Sequence, residues 1–323
     1  VQQTSDGGYI IAGYKYDPSL YYSEDVLLVK TDSEGNAVWS RTFGDSRDTE
    51  VAYSVQQTSD GGYIIAGYKY DPSYYSLNAL LVKADSNGNR MWSKIFSGRA
   101  GDVAYSVQQT SDGGYIIAGY TEVYEGPPYG WVENAWIIKT DSNGSMVWSK
   151  TFSCASPYGP YSRAYSVQQT SDGGYIIAGI CGRAFHYGYD SSSIMLIKTY
   201  SNGSIEWMRI FSGSKLDWAY SVQQTSDGGY IIAGYKSRYV YSEGVTYIYT
   251  DAWVIKTDAD GNEEWNKTFG KPEAWSEARS VWQTKDGGYI IAGFISNGSD
   301  FGGAWVIKTD ADGNEEWNKT FGR

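Results

Sequence analysis

Short apolar segments alternate along the chain with polar, glycine-rich turns. Tyr-Ile-Ile-Ala-Gly follows every Asp-Gly-Gly, and a second apolar run ends in lysine before a turn rich in Asp, Asn and Gly. A third landmark pairs a Trp with a Phe four residues later. No segment keeps a 3.6-residue apolar period, so the pattern predicts strands and turns and no helix.

The pattern is a repeat that fills the chain without a linker. A period of about 50–60 residues with four strands per unit is typical of a β-propeller. Asp-Gly-Gly begins at Asp6, Asp60, Asp112, Asp172, Asp227 and Asp286. The landmark tryptophans are Trp39, Trp92, Trp148, Trp207, Trp265 and Trp317.

Each copy predicts four strands, which we name A to D. Strand A is Ser-Val-Gln-Gln-Thr, strand B is Tyr-Ile-Ile-Ala-Gly, strand C resembles Ala-Trp-Val-Ile-Lys-Thr, and strand D resembles Val-Trp-Ser-Lys-Thr-Phe. Gly tolerates positive φ and Asp or Asn bonds its own turn backbone, so the A–B and C–D connections are tight turns. Strands B and C are apolar at consecutive positions, which indicates a sheet covered on both faces.

The expected fold is all-β, a six-bladed β-propeller with four antiparallel strands per blade, in a single domain over residues 1–323. The approximate blades are 1–46, 47–98, 99–155, 156–213, 214–272 and 273–323. An open β-solenoid is the alternative, but solenoids usually have shorter periods and atypical end repeats. Blade six has four strands of its own, so side-chain packing against blade one would close the ring. The chain starts at Val1 without Met, which suggests a mature or trimmed product.

Composition narrows the classes of function. The chain has 323 residues, is 41% apolar, and carries a net charge of −11. Nucleic-acid phosphates and anionic lipid both require a basic surface, so neither is an expected partner. No apolar run is long enough to span a membrane. One His and two Cys make a histidine-rich metal site or a histidine-based triad improbable, and the sequence predicts no cofactor.

Copies such as Ser166-Val-Gln-Gln-Thr-Ser-Asp-Gly-Gly-Tyr-Ile-Ile-Ala-Gly179 resemble the repeat of secreted and cell-surface β-propeller proteins of archaea and bacteria. The resemblance covers the whole chain, is loosely kelch-like, and implies a fold rather than an activity. Asp32-Ser-Glu-Gly-Asn-Ala-Val-Trp39 is also similar to the hairpin of quinoprotein propellers and, more loosely, to the Asp-box of sialidases. Its Asp-to-Gly spacing departs from both patterns, and in both families the hairpin is structural.

Strand direction divides the connections between two faces. The A–B and C–D turns share one face and are nearly constant, whereas the B–C loops and D–A crossings share the other and vary from copy to copy. Function generally lies on variable loops that a rigid scaffold carries, so the second face is the predicted functional face. The B–C loops are assigned to 14–25, 68–78, 120–134, 180–193, 235–250 and 294–303.

These loops hold more than half of the 31 tyrosines, and their acidic residues outnumber the basic ones. Aromatic planes beside carboxylates and amides suit protein or carbohydrate recognition, because the rings stack and the oxygens accept hydrogen bonds. The alternative is structural, with the loops folding over one another. The predicted binding residues are Tyr16, Tyr21, Tyr22, Tyr70, Tyr74, Tyr75, Tyr124, Tyr129, Trp131, Tyr187, Tyr189, Tyr239 and Tyr241.

Other candidate sites are weaker. The six A–B turn aspartates would lie near the propeller axis and could hold a cation, but an Asp before Gly-Gly more simply bonds its own turn. The segments 258–264 and 310–316 resemble the start of a calcium loop without the later Glu or flanking helices, which favours plain hairpin turns. His186 is interpreted as an ordinary loop histidine.

Two cysteines and five sequons indicate where the protein is located. Cys154 and Cys181 are both on the variable face of blade four, so a disulfide between them is predicted, which would fit an extracellular or cell-surface protein. Two free thiols are the alternative. Asn-x-Ser/Thr sequons suggest N-glycosylation at Asn143, Asn202, Asn266, Asn297 and Asn318.

Three hypotheses of function follow. The first is a non-catalytic extracellular binding or adhesion module that uses the Tyr-rich face. The second is a structural subunit of a surface coat or extracellular filament, in which the chain forms a homo-oligomer or polymer. The third is a glycan-acting hydrolase or lyase, although no pair of carboxylates stands out from the repeat as such an enzyme requires.

Overall fold

The structure, a computed structural model, describes residues 1–17, 23–44, 49–98, 100–127, 130–154, 160–185, 188–242, 245–296 and 302–322. Within these ranges the chain is all-β, with 24 strands and no helix. The expectation of an all-β fold built from groups of four antiparallel strands is confirmed. No helix in the described ranges is long and apolar enough to cross a membrane.

The strands form six consecutive groups, which we number sheets 1 to 6. Sheets 1 to 3 contain β1 (Gln2–Gln3), β2 (Tyr9–Asp17), β3 (Ser23–Thr31), β4 (Ala37–Phe43), β5 (Glu50–Gln57), β6 (Tyr63–Asp71), β7 (Ser76–Ala84), β8 (Arg90–Phe96), β9 (Asp102–Gln109), β10 (Tyr115–Gly126), β11 (Gly130–Thr140) and β12 (Met146–Phe152). Sheets 4 to 6 contain β13 (Pro160–Gln169), β14 (Tyr175–Phe185), β15 (Gly188–Thr199), β16 (Ile205–Phe211), β17 (Asp217–Gln224), β18 (Tyr230–Ser242), β19 (Val245–Thr257), β20 (Glu263–Phe269), β21 (Trp275–Gln283), β22 (Tyr289–Ser296), β23 (Gly303–Thr309) and β24 (Glu315–Phe321).

Within each sheet the strands pair antiparallel in chain order. Sheets 5 and 6 are joined by one further bridge, the parallel pairing of Thr250 with Trp275. Strand A carries a bulge in sheets 2 to 6, at Tyr53 in sheet 2, where the register shifts between Ala52 and Ser54. A bulge leaves one residue outside the pairing ladder and re-aims its side chain.

The tight turns form as the sequence predicts. In sheet 2 the Thr58 N–H donates to Gly62 O and the Gly61 N–H donates to Thr58 O, both at 2.9 Å. Gly61 has φ +80°, which only glycine adopts readily. The same pair of bonds recurs in all six copies, so Asp-Gly-Gly is the signature of this turn.

Contacts divide the chain into two compact units, Val1–Phe152 with sheets 1 to 3 and Ser153–Arg323 with sheets 4 to 6. Inside each unit the core lies between consecutive sheets. Between sheets 1 and 2, for example, Leu28 and Phe43 pack with Tyr63 and Ile65. This packing covers both faces of the middle sheet of each unit, which explains why strands B and C are apolar at consecutive positions.

The glutamines of strand A join neighbouring sheets. The Gln2 side-chain oxygen accepts from the Gln57 N–H at 2.7 Å, and the Gln57 side-chain oxygen accepts from the Ser5 N–H at 2.8 Å. Sheets 4 and 5 repeat both bonds. The Ser-Val-Gln-Gln motif is therefore a hydrogen-bonded seam between sheets as well as a strand.

The strand D tryptophan forms a second joint. Trp39 meets Tyr63 of the next sheet edge-on, with ring centroids 5.8 Å apart. It also lies so close to Gly88 that a Cβ on this glycine would be 2.6 Å from the ring. Trp92, Trp207 and Trp265 repeat both contacts.

The predicted B–C loops need a correction, because several are continuations of strands. β10 and β11 pair as far as Gly126 and Gly130, and β18 and β19 pair as far as Ser242 and Val245. Extended residues pair whenever a partner strand continues opposite them, whatever their polarity. Tyr and Thr also favour this state, so the variable segments lengthen the sheets as hairpins.

Candidate functional site

A cleft of about 670 Å³ opens in the first unit, on the face that carries the B–C hairpins, and its volume is typical of a ligand site. Three segments bound it: the turn between β6 and β7, the crossing before β9, and the hairpin of β10 and β11. Its described lining residues are Asp71, Tyr74, Tyr75, Ser76, Leu77, Asn78, Ser97, Gly98, Ala100, Gly101, Tyr120, Glu122 and Trp131.

The β6–β7 turn presents two aromatic side chains. Asp71 begins the turn, and its Oδ1 accepts from the Ser73 N–H at 2.8 Å, as in other Asx turns. Tyr74 and Tyr75 follow at the tip with 81% and 85% of their surface exposed. Tyr75 has φ +51°, a strained backbone conformation for a tyrosine that is more common at functional sites than elsewhere.

The β10–β11 hairpin supplies the opposite wall. Trp131 pairs across the hairpin with Tyr124, with ring centroids 5.4 Å apart, and half of its surface is exposed. Glu122 Oε2 accepts from the Gly101 N–H at 3.0 Å, which holds this carboxylate against the crossing. The paired rings limit the orientations of the indole, so its exposed face is a preformed platform.

The lining combines aromatic faces with hydrogen-bond acceptors. Tyr74, Tyr75 and Trp131 offer flat apolar surface, while Asp71 and Glu122 offer carboxylate oxygens. Among the described lining residues there are two carboxylates and no Lys or Arg. In the described ranges no three His, Cys, Asp or Glu side chains are grouped so that they could hold a metal ion.

The structure also reveals a row of tyrosines that leads to the cleft. Tyr68 contacts Tyr53, Tyr53 contacts Tyr105, and Tyr105 contacts Tyr120, with centroids 5.3 to 6.0 Å apart. Burial, followed by the neighbouring Tyr53, raises the pKa of the Tyr68 hydroxyl to about 12. The sequence carried a signal for this row, the recurrent Ala-Tyr-Ser-Val of strand A, but its tyrosine falls on a bulge that periodicity does not reveal.

The cleft brings together only part of the predicted binding set. Tyr74, Tyr75 and Trp131 line it, and Tyr124 supports Trp131. Tyr16 and Tyr70 belong to the same unit but do not line it, and the exposed Tyr239 and Tyr241 lie on the β18–β19 hairpin of the second unit. Tyr21, Tyr22, Tyr129 and Tyr187, together with His186, lie outside the described residues, as does the side chain of Tyr189. Sequence reasoning omitted Asp71, Tyr120 and Glu122 from the site.

The second unit has a smaller cavity of about 220 Å³ beside β18 and β19. Its two charged groups on these strands, Arg238 and Asp251, pair with each other at 3.1 Å. The guanidinium also lies over the Tyr249 ring. Because Arg238 and Asp251 pair with each other, this cavity offers fewer available polar groups to a ligand than the cleft does.

Every A–B turn aspartate is bonded within its own sheet. Each pairs with the lysine that ends strand C, at 2.7 to 3.0 Å. In sheet 2 the Asp60 carboxylate also accepts from the Thr58 hydroxyl and from the Gly62 N–H. Partial burial raises the pKa of Asp60, but the bonds from Thr58 and Lys83 outweigh it and leave the pKa at about 2. The turn interpretation accounts for these aspartates.

The calcium-like segments are also plain turns. Asp258 accepts from the backbone N–H groups of Asp260 and Asn262 and from the Asn262 side chain, at 2.8 to 2.9 Å. These bonds, led by that from the Asn262 side chain, lower the pKa of the Asp258 carboxyl. Asp310 accepts equivalent bonds from Asn314.

The predicted disulfide between Cys154 and Cys181 is present, with the two Cα atoms 5.8 Å apart. The sequons differ in their surroundings. Asn266 accepts from the Trp253 indole and donates to Glu263, and Asn318 does the same with Trp305 and Glu315. Asn143 and Asn202 lie in exposed C–D turns, and Asn297 lies outside the described residues.

The fold is that of an all-β, propeller-like repeat protein, and its cleft is lined by aromatic side chains and two carboxylates among the described residues. No protein-family model and no curated protein sequence matches the chain. Among solved structures it is similar to the polysaccharide lyase Uly1, with a TM-score of 0.55 and 9% identity over 98% of this chain and 81% of the lyase. It is also similar to puromycin hydrolase, with a TM-score of 0.53 and 11% identity over 94% of this chain but only 44% of the hydrolase. At these identities the likeness concerns the fold alone.

Proposed function

We propose that the protein is a non-catalytic, extracellular β-propeller module whose six sheets are its blades and whose cleft binds a glycan. One observation carries the proposal: Tyr74, Tyr75 and Trp131 converge on a cleft that also presents the carboxylates of Asp71 and Glu122. A pyranose ring stacks its C–H face on an aromatic plane, and carboxylates accept hydrogen bonds from its hydroxyls.

The charge of the protein limits the class of glycan that the cleft can bind. The described lining carries the carboxylates of Asp71 and Glu122, and the whole chain carries −11, so a polyuronate would be repelled. A neutral sugar meets no such repulsion, and the ammonium of an amino sugar gains a charge-assisted hydrogen bond to Asp71 or Glu122. The favoured ligands are therefore neutral or amino-sugar polymers.

The disulfide supports an extracellular location, because disulfides persist in oxidising environments outside the cytosol. The exposed turns at Asn143 and Asn202 are open to glycosylation there. A binding role accords with the carboxylates of the cleft, since Glu122 is tied to Gly101 and Asp71 to its own turn. Glycoside hydrolysis requires two carboxyl groups that face the scissile bond from opposite sides.

Calorimetric titration with a glucosamine hexamer, an N-acetylglucosamine hexamer and a polyguluronate tests the proposal. The two hexamers should bind and the polyguluronate should not. Trp131→Ala and the double substitution Tyr74→Ala/Tyr75→Ala should each weaken binding about tenfold or more, since losing a central aromatic anchor costs more than about 1.4 kcal/mol.

The matched control is Tyr239→Ala/Tyr241→Ala, which removes two exposed tyrosines from a hairpin of the other unit. This variant should bind both hexamers as the parent protein does. Failure of the parent to bind either hexamer would overturn the proposal, and so would an equal loss in the control. Turnover of a hexamer by the parent protein would overturn the non-catalytic assignment.

A further inference from the structure

A buried polar cluster lies beside the cleft of the first unit. Asp102 of β9 and Asn134 of β11 are both paired with Thr121 of β10, the strand between them, so the three side chains are neighbours on one face of sheet 3. None of the three is more than 7% exposed. Polar side chains at this depth normally have hydrogen-bond partners, so the bonds of this cluster need a full account.

The cluster is in contact with a wall of the cleft. Asn134 shares its face of the strand with Trp136, which packs against sheet 2. A Cβ on Gly98 would be 3.0 Å from Asp102 Oδ1 and 2.8 Å from Thr121 Oγ1. Gly98 also lines the cleft. A change at the Asp102 carboxyl group therefore reaches the cleft through this glycine.

The described donors satisfy only part of the cluster. Asp102 Oδ2 accepts a hydrogen bond from the Gly98 N–H, and the Thr121 side chain bonds the same carboxyl group. Asp102 Oδ1 and Asn134 Oδ1 are buried and have no hydrogen-bond partner in the part of the chain that the structure describes. Both atoms are acceptors, so the cluster lacks a donor.

One proton would supply that donor. If Asp102 were neutral, its Oδ1–H would donate to the Thr121 hydroxyl, which could then donate to Asn134 Oδ1. If Asp102 is ionised, the single hydrogen of the Thr121 hydroxyl faces two acceptors, and one bond stays unmade. A buried charge and an unmade bond are both costly. A metal ion would fit less well, because the cluster has a single carboxylate and calcium takes about six to eight oxygen ligands.

Charged side chains near the cluster do not face it. In sheet 2, Glu50 and Lys69 pair with each other at 3.0 Å on the face toward sheet 1. In sheet 3, Glu122 follows Thr121 along the strand and therefore points to the opposite face. Arg99 lies outside the described residues.

Sheet 2 presents only uncharged side chains toward this part of sheet 3. They are Val51 from β5, Ala66, Tyr68 and Tyr70 from β6, Leu77 and Ala79 from β7, and Phe96 from β8. Burial raises the pKa of the Asp102 carboxyl, and the opposing hydrogen bonds from Thr121 and Gly98 do not cancel this effect. The surroundings of Asp102 therefore favour its neutral form.

We propose that Asp102 is protonated when the cleft binds its glycan and that loss of this proton weakens binding. An ionised Asp102 has to be hydrated, so water enters beneath Gly98 and displaces this part of the cleft wall. The affinity for the glycan therefore falls as the pH rises. The effect on binding rests on the proposed function, whereas the protonation of Asp102 does not.

The second unit carries a matched carboxylate at the same repeat position. Asp217 is as fully buried as Asp102, but its Oδ2 accepts from the N–H groups of Gly213 and Ser214 at 2.7 and 3.0 Å. Its Oδ1 accepts from the Ser214 hydroxyl, and Lys236 is the residue paired with it on strand B. Both oxygens are partnered in the ionised form, so Asp217 needs no proton and serves as the control.

Hydrogen exchange measured by mass spectrometry tests the protonation without a ligand. The peptide that contains Gly98 should lose protection, relative to the unstructured rate at each pH, as the pH rises from about 5 to about 9. In Asp102→Asn, whose amide is uncharged at every pH, this protection should stay constant. The peptide that contains Gly213 is the internal control and should stay constant in both proteins. Constant protection of the Gly98 peptide in the parent protein would overturn the proposal.

Calorimetric titration with the N-acetylglucosamine hexamer, which carries no titrating group, tests the effect on binding. The dissociation constant of the parent should rise with pH, by about tenfold where one molecule in ten keeps the proton. Asp102→Asn should bind equally well throughout, and Asp217→Asn should follow the parent. Equal binding by the parent across the range, with falling protection at Gly98, would overturn the link to binding. Falling protection without any binding would support the protonation of Asp102 and overturn the glycan proposal alone.

Discussion

The lysine that ends strand C is a charged residue in a buried position. Lys83 is almost wholly buried, and its ammonium bonds Asp60 and the Ala84 carbonyl. In sheets 4 to 6 the lysine has a second carboxylate, as Lys256 has in Glu264 at 2.7 Å. The matching position in sheet 2 is Met91, so Lys83 relies on Asp60 alone among the described acids.

This difference predicts unequal costs for one substitution. Asp60→Asn leaves the buried Lys83 ammonium without a carboxylate and should lower the free energy of unfolding by about 1–3 kcal/mol. Asp227→Asn, the control, leaves Lys256 paired with Glu264 and should cost less than half as much. Urea unfolding of both variants measures the difference, and equal losses would show that the second carboxylate contributes nothing.

The same turns predict a pH dependence. The pKa values of Asp60, Asp112, Asp172, Asp227 and Asp286 lie at about 2, below the ordinary 3.8. The unfolded chain therefore binds protons more readily than the folded one at low pH. Stability from these groups is complete above about pH 4 and is lost as the pH falls toward 2. Urea midpoints should decline steadily through that window, and a flat profile would contradict the lowered pKa values.

At the scale of the strand and turn, the contact between Trp and Gly determines how closely sheets approach. Gly88 and Gly35 occupy the same C–D turn position with φ +79° and +88°. A Cβ on Gly88 would be 2.6 Å from the Trp39 ring, whereas a Cβ on Gly35 would meet nothing. One position therefore requires glycine for both conformation and space, and the other for conformation alone.

Alanine substitution separates these two requirements. Gly35→Ala should cost about 1 kcal/mol, the penalty of a left-handed backbone for a residue with a Cβ. Gly88→Ala should cost about 1–3 kcal/mol more, because the methyl group forces Trp39 to move. Urea unfolding measures both losses. Equal losses in the two variants would show that the joint tolerates the added methyl group.

The sequence predicted strands and tight turns well, because apolar runs and Asp-Gly-Gly are local signals. It did not predict that Tyr120 and Glu122 belong to a strand that continues into a hairpin, since pairing there depends on the opposite strand. Tyr74, Tyr75 and Trp131 were predicted as binding residues from composition. That they share a cleft with Asp71 depends on how sheets 2 and 3 pack, which no local pattern encodes.

At the scale of the whole molecule, one repeat serves two purposes. The constant residues Trp, Gly and Gln build the joints between sheets, so selection for the fold fixes them. The recurrent Trp–Gly and glutamine contacts do not use the variable B–C hairpins, so these hairpins are free to carry Trp131 in one copy and Tyr241 in another.

The disulfide lies within the second unit. Cys154 and Cys181 are 27 residues apart and both belong to Ser153–Arg323, while Val1–Phe152 contains no cysteine. Closing a loop of this length restricts the unfolded chain and is worth about 3–4 kcal/mol in the chain-entropy model. Calorimetry should therefore show a lower unfolding temperature in the presence of reductant than in its absence. Cys154→Ser/Cys181→Ser should match the reduced protein and ignore reductant, and a parent protein with the same transitions before and after reduction would show that the bridge adds no stability.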